Sequence, residues 1–245
     1  IFAIPFIIKI IGNEAFGILS LVWVLIGYLS LFDLGLGRAL TQKISEIRFN
    51  EENDNSKEIN EFIKTGLFFT IIAGAIGGLG LIAFSKPMAF RWLNISEDMQ
   101  YSVYQSFLVT AIGIPLTTLS TGLRGVLEGY EKFRIVNIWK IFLGISNFLL
   151  PVASLVIFGN SLIYMVAGLV LARFIVAFGY YYSLRSISLG RIFDVSFSRD
   201  KLFKMLAFGY WMTASNIISS VLVMADRFII PMMVGASLVA FYTVP

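Results

Sequence analysis

The sequence predicts an all-α protein, a polytopic transmembrane helix bundle, and three observations carry that expectation. The hydrophobic fraction is 58% and the charged fraction 14%, against about 45–50% and about 25% in soluble domains. Several apolar runs reach the length of about 20 residues that a helix needs to cross hydrocarbon. Lys and Arg gather in alternate connections between those runs rather than scattering evenly. A chain this apolar would expose a large greasy surface in water, whereas lipid accepts one.

Six complete spans are expected at roughly 17–36, 65–84, 103–122, 136–158, 161–182 and 206–225. Residues 1–11 read as the end of an earlier span and 228–245 as the start of a later one. The chain opens without Met inside an apolar run and stops inside another, so it is expected to be an internal piece of a longer protein, and no signal peptide is visible. The runs are long and lack strict alternation, which excludes β-barrel strands. Asn55 with Glu58 forms a capping box for a helix leading into 65–84. Ser96, Glu97 and Asp98 form a helix start before 103–122. Gly159-Asn160 marks a tight turn, which makes its flanking spans an antiparallel hairpin.

The basic residues set an expected orientation. Arg38, Lys43, Arg48, Lys57 and Lys64 lie between 36 and 65, a stretch read as a loop. Arg124, Lys132, Arg134 and Lys140 follow the next pair of spans, and Arg185, Arg191, Arg199, Lys201 and Lys204 the pair after that. The alternate connections hold Lys9, Lys86, Arg91 and Arg227. Fourteen against four predicts that the rich connections are cytoplasmic, with Ile1 toward the cytoplasmic side. Trp92, Tyr101 and Tyr104 fall where an outer aromatic belt belongs.

Composition removes whole classes of chemistry. There is no Cys and no His, so zinc sites of the usual donors, thiol and imidazole catalysis and disulfides are absent. No metal site or cofactor is expected. A net charge of +4 gives no argument for nucleic acid.

Polar residues inside spans should face other helices or a wet cavity. Asn137, Lys140, Gly144, Asn147 and Pro151 recur on one face of 136–158. Asn216 and Ser220 align with Arg227, and Ser219 with Asp226. Ser20, Trp23, Gly27 and Ser30 form a narrower stripe, for which helix packing is the plainer explanation. Arg173 is the most deeply placed charge, needing either a structural acid or an anionic ligand. Lys140 either lines the cavity or snorkels to the interface. Asp33 and Arg38 form a candidate interfacial pair, and Asp226 with Arg227 marks the opposite end of its span. Pro115 and Pro151 interrupt helical ladders within spans, and Gly74, Gly77, Gly78 and Gly80 permit close backbone approach.

A family resemblance emerges from motifs in order along the whole chain. I-G-N-E-A-F-G-I-L-S-L from Ile11 and D-L-G-L-G-R-A-L from Asp33 come first, then R-G at Arg124 with E-G-Y at Glu128. A-D-R-F-I-I-P-M-M-V-G from Ala225 and F-Y-T-V from Phe241 close the series. Together they resemble the polysaccharide-biosynthesis exporters, the lipid-linked oligosaccharide (O-antigen type) flippases of the multidrug/oligosaccharidyl-lipid/polysaccharide superfamily. The resemblance implies two six-helix lobes around a central cavity. Residues 1–182 would be the first lobe, 183–205 a cytoplasmic inter-lobe linker and 206–245 the truncated start of the second lobe. F-G-I-L-S-L-V after Gly12 is faintly similar to V-A-F-Y-T-V after Gly235, as repeated lobes would give.

The implied function is movement of an undecaprenyl-pyrophosphate-linked oligosaccharide from the cytoplasmic to the periplasmic leaflet of a bacterial or archaeal cytoplasmic membrane. Arg38, Lys140, Arg173 and Arg227 are the candidate head-group contacts. Asn137, Asn147, Asn216 and Ser220 are candidate cavity-lining residues, and Asp33, Asp226, Pro115 and Pro151 structural or gating ones. Na+ and H+ are candidate coupling ions. Partners would be the lipid-linked oligosaccharide, membrane lipids and a polysaccharide polymerase or chain-length regulator. The competing expectations are a cation-coupled multidrug exporter of the same superfamily, a membrane glycosyltransferase or acyltransferase, and a purely structural bundle.

Overall fold

The computed structural model describes residues 9–10, 15–23, 25, 35–49, 56–93, 95–159, 161–185, 198–207, 209 and 211. Its named elements are all helical: α1 (Leu36–Phe49), α2 (Ser56–Pro87), a π-helical turn (Met88–Trp92), α3 (Glu97–Gly129), α4 (Phe133–Phe158) and α5 (Leu162–Arg185). Residues 15–23 and 199–207 are helical as well. Four helices are long and apolar enough to cross a membrane, at Lys57–Trp92, Glu97–Gly129, Phe133–Phe158 and Leu162–Arg185. They contain the expected spans 65–84, 103–122, 136–158 and, save its first residue, 161–182. The expected span 228–245, and nearly all of 1–11 and 206–225, lie outside the described residues.

Two differences from the sequence expectation have physical causes. The stretch after Leu36 is helix rather than loop. Gly35, at φ 70, turns the chain, and Leu36, Leu40 and Ile44 then repeat every fourth residue and are fully buried. Helices α2 and α3 also overrun the apolar runs within them. At 32 and 33 residues, each is about 48–50 Å long at 1.5 Å per residue, against about 30 Å of hydrocarbon.

The start of α3 and the end of α4 follow the expected signals, while Asn55, the expected cap before α2, lies outside the described residues. Ser96 occupies the N-cap position of α3, its carbonyl accepting from Met99 and Gln100, and Glu97 and Asp98 fill the first turn, where the helix dipole favours negative charge. Gly159, at φ 74, ends α4. The hairpin of α4 and α5 is antiparallel: the Tyr180 hydroxyl donates to the Val136 carbonyl (3.4 Å) and the Ser154 hydroxyl to the Tyr164 carbonyl (3.3 Å).

Helix α3 is the centre of the bundle, packed against α1, α2 and α5, while α4 leans chiefly on α5. Glycine makes the closest crossings. A Cβ on Gly78 would stand 2.7 Å from the Ala111 carbonyl oxygen, and one on Gly74 would stand 2.6 Å from Pro115 Cα. Pro115 lacks an N–H, so the Ala111 carbonyl loses its usual helical donor, and Gly78 closes over that oxygen. Gly80 meets nothing within 4 Å, so of the expected glycines it takes no part in the crossing. On the other flank, Gly125 abuts the backbone of Gly37. The Thr41 hydroxyl reaches the carbonyls of Gly37 (3.0 Å) and Gly125 (2.9 Å), and Arg48 donates to the carbonyl of Gly129 (3.0 Å). Arg48 also lies 5.1 Å from the centroid of the Tyr130 ring. Burial raises the Tyr130 phenol above its ordinary pKa, with Arg48 opposing.

These crossings predict that Gly125→Ala destabilises the bundle by about 1–3 kcal/mol, because its methyl meets backbone that cannot swing aside. Gly80→Ala is expected to be neutral or mildly stabilising through helix propensity. Thermal unfolding of the purified protein in detergent checks both; equal melting temperatures for the two variants would refute the crossing.

Candidate functional site

Charge within the bundle is sorted by depth. The four ion pairs among the described residues are Lys43–Glu46 (2.7 Å), Arg124–Glu128 (3.6 Å), Lys140–Glu128 (3.2 Å) and Lys201–Glu61 (2.5 Å). All join residues near the same end of the bundle, where α2 and α4 begin and α3 and α5 finish. The opposite end carries aromatic contacts: Phe84 with Trp92, Phe90 with Tyr104, and Tyr101 with Tyr104. Trp92 and Tyr101 are exposed, as interfacial aromatics are.

Arg173 stands apart from this pattern. It lies at the middle of the 24-residue helix α5 and is 6% exposed. One guanidinium nitrogen donates to the Leu169 carbonyl one turn back (2.7 Å), and Nε is buried with no partner. Among the described residues no carboxylate pairs with it, so the structural acid allowed by the sequence is not found there. Room for the side chain comes from α3, where a Cβ on Gly113 would stand 3.8 Å from Arg173 Cδ and 3.1 Å from Val170 Cγ2. Its helix neighbours Leu169, Val170, Val176 and Ala177 are buried and apolar. An arginine at the centre of a span costs about 2.5–3.5 kcal/mol on insertion scales, and one bond to its own helix does not satisfy five N–H donors.

The other expected cations divide. Lys140 is 46% exposed at its side chain and bonded to Glu128, which Arg124 also contacts. This pair joins α4 to α3 across the short turn at Glu131, whose φ is 60. Such an exposed pair contributes about 0–1 kcal/mol. Arg38 is exposed on α1, and among the described residues it forms no ion pair. Asp33, its expected partner, lies outside the described residues, as do Asn216, Ser220, Asp226 and Arg227.

The polar stripe on α4 changes character along its length. Asn137, Lys140 and Gly144 are exposed, Asn147 is half-buried and Pro151 is buried. The buried Oδ1 of Asn147 has no partner, and neither does the indole nitrogen of Trp23. Trp23 packs on Phe148, the residue after Asn147, at 5.6 Å between ring centroids, and on Phe16 at 6.2 Å. An unpaired acceptor and an unpaired donor therefore sit on adjoining elements. Pro115 is half-buried within a continuous α3, where the Thr118 hydroxyl donates to the Pro115 carbonyl (3.1 Å).

Sequence reasoning named Trp23 only as part of a packing stripe and gave Glu128 no role. Glu128 stands four residues after Arg124, a spacing that marks a helical ion pair. A third group of contacts was also unexpected. Lys201 reaches Glu61, the Glu58 carbonyl (3.4 Å) and the Phe62 ring (5.0 Å), the Ser198 N–H donates to Thr65, and Met205 is fully buried. The segment after α5 is thus fixed to the start of α2. No group of metal-binding side chains occurs among the described residues.

Four apolar helices of membrane length, with a single buried charged side chain, Arg173, among the described residues, define a multi-pass membrane protein. The chain belongs to the polysaccharide biosynthesis protein family, whose model matches residues 2–245. It is 36% identical over 247 residues to a Shigella flexneri protein named "Putative O-antigen transporter". That alignment covers 99% of this chain and 57% of the relative, so the chain spans little more than half the relative's length. No solved structure matches it.

Arg173→Met is expected to raise thermal stability in detergent, by about 1–3 kcal/mol, since it removes an unsatisfied buried charge while keeping most of the side-chain volume. A fall in stability would mean that the native arginine has a structural partner.

Proposed function

We propose that this chain forms the first lobe, and the start of the second, of a flippase for undecaprenyl-pyrophosphate-linked oligosaccharide. The direction is from the cytoplasmic to the periplasmic leaflet of a bacterial or archaeal cytoplasmic membrane. The observation that carries the proposal is Arg173, a buried cation at mid-span with unspent donors and no acid beside it among the described residues. A pyrophosphate crossing hydrocarbon needs such a group, because guanidinium forms short charge-assisted hydrogen bonds to phosphate oxygens. Family membership and the name of the Shigella flexneri relative support the same cargo class.

In this mechanism Arg38 receives the head group near the cytoplasmic surface, Arg173 holds it at mid-depth and Arg227 lies toward the far side. Lys140 takes part by exchanging Glu128 for phosphate. Asn137, Asn147, Asn216 and Ser220 line the path, with Asp33, Asp226, Pro115 and Pro151 in structural or gating roles. The lobes rock about the cargo while the lipid tail stays in the bilayer, with Na+ or H+ as the coupling ion. A polysaccharide polymerase or chain-length regulator would consume the product. The protein moves its cargo without chemical change, so no catalytic residue is assigned.

A cation-coupled drug exporter is the second reading. It calls for carboxylates buried in the lobe, whereas Arg173 is the one buried charged side chain among the described residues.

The test is complementation of a flippase-deficient strain by the intact protein, reading surface polysaccharide on gels at matched protein levels. Arg173→Gln is expected to lower it at least tenfold and Arg173→Lys less so, since lysine keeps the charge but not the planar fork. Full transport by all four Gln variants at Arg38, Lys140, Arg173 and Arg227 ends the reading.

A further inference from the structure

Two cations from different helices close on one oxygen atom. Arg124 of α3 brings Nε to 3.6 Å from Glu128 Oε1, and Lys140 of α4 brings Nζ to 3.2 Å from that same oxygen. The acid is the most covered of the three side chains, at 23% exposed against 36% for Arg124 and 46% for Lys140. Backbone geometry builds this convergence. The turn between α3 and α4 is closed by the N–H groups of Tyr130, Glu131 and Lys132, which donate to the carbonyls of Val126, Glu128 and Leu127. Leu123 and Leu127, which precede Arg124 and Glu128, share one buried apolar core with Val136 of α4 and Tyr180 of α5. Trp139, beside Lys140, packs on the Tyr180 ring at 6.5 Å between centroids.

The carboxylate is a poor match for its two cations. Lys140 donates a hydrogen bond to Oε1, but Arg124 stands beyond hydrogen-bond reach, and its Nε is buried without a partner. Glu128 lies one turn along the same helix as Arg124 and offers a single oxygen to both cations. Exposed ion pairs of this kind hold weakly, so the acid can be displaced. A pyrophosphate carries two charges and non-bridging oxygens on both phosphorus atoms, so it can accept from Arg124 and Lys140 at once.

We propose that Arg124 and Lys140 form a pyrophosphate-binding pair that Glu128 occupies when no cargo is bound. The inference rests on the cargo reading given above and adds to it a second arginine contact and a built-in competitor. An arriving head group displaces the carboxylate and takes both cations, and the carboxylate returns when the head group leaves. A singly charged anion offers no more charge than the acid it must displace, whereas pyrophosphate offers two. Glu128 therefore selects for the diphosphate as well as guarding the pair.

The test titrates the intact protein in neutral detergent with undecaprenyl pyrophosphate, reading retained lipid by native mass spectrometry, with phosphatidylglycerol as the singly charged comparison. Arg124→Gln and Lys140→Gln should each weaken undecaprenyl pyrophosphate binding about fivefold. Glu128→Gln should tighten it about threefold, since it removes a competitor held by exposed pairs, and should narrow the preference over phosphatidylglycerol. A purely structural ion pair gives a different pattern: Arg124→Gln and Glu128→Gln break the same contact, so they shift binding in one direction or not at all. Arg124→Lys should bind between the wild type and Arg124→Gln, and it carries the test if the Gln variant folds poorly. Lys43→Gln, which breaks the separate Lys43–Glu46 pair at this end of the bundle, should bind as the wild type does. If the wild type binds undecaprenyl pyrophosphate and the Arg124 and Glu128 variants do not shift it in opposite directions, this proposal fails and the cargo reading stands. If the wild type does not bind it, both fail. If phosphatidylglycerol displaces it at equal concentration, the pair belongs to ordinary lipid phosphate and the proposal fails as well.

Discussion

Backbone-to-backbone contact along α3 is the constraint from which the rest of the bundle follows. In a bilayer the lipid tails are as apolar as leucine, so helices gain nothing merely by hiding apolar side chains from their surroundings. Association must come from close packing and from hydrogen bonds that lipid cannot offer. Gly125 against Gly37, Gly78 over Ala111 and Gly74 beside Pro115 supply the first. Thr41 and Arg48, each bonded to a carbonyl of α3, supply the second. Because these contacts are made by backbone, they fix helix position more tightly than interdigitated side chains would. That rigidity lets a mid-span arginine be held where it is.

The placement of Arg173 illustrates how local choices serve a global one. Gly113 on α3 removes a side chain where the arginine stem must lie. The Leu169 carbonyl takes one donor and the apolar neighbours take none. The result is a cation whose position is defined and whose bonding capacity is largely unused. A helix bundle selected only for stability would have filled this place with methionine or leucine.

Much of the fold was legible in the residues, and what was not has identifiable reasons. Span positions follow from the length of apolar runs, and the hairpin follows from Gly159, whose positive φ only glycine adopts easily. The residues of α1 read as a loop because their mean composition is polar, although the fourfold spacing of Leu36, Leu40 and Ile44 carries a helical period. The depth of Arg173 could be counted from the ends of its span, but the lack of an acid beside it among the described residues could not. Lys140 shows the opposite case: its charge and stripe were visible, while its partner Glu128 lies across a turn whose geometry no local pattern encodes. The unpaired atoms of Trp23 and Asn147 are likewise products of packing. The expectations for Asp33, Asn216, Ser220, Asp226 and Arg227 concern residues beyond those described.

The attachment of Lys201, Ser198 and Met205 to the opening turns of α2 decides where the chain after α5 is seated. Met205 sits so close to Gly66 of α2 that a Cβ there would stand 2.7 Å from its Cε and 2.8 Å from Leu40 Cδ2, so the absence of a side chain at Gly66 makes the seat for the methionine. The hydrogen bonds that hold this segment run to α2, far back along the chain, so order in the sequence and order in the packing differ.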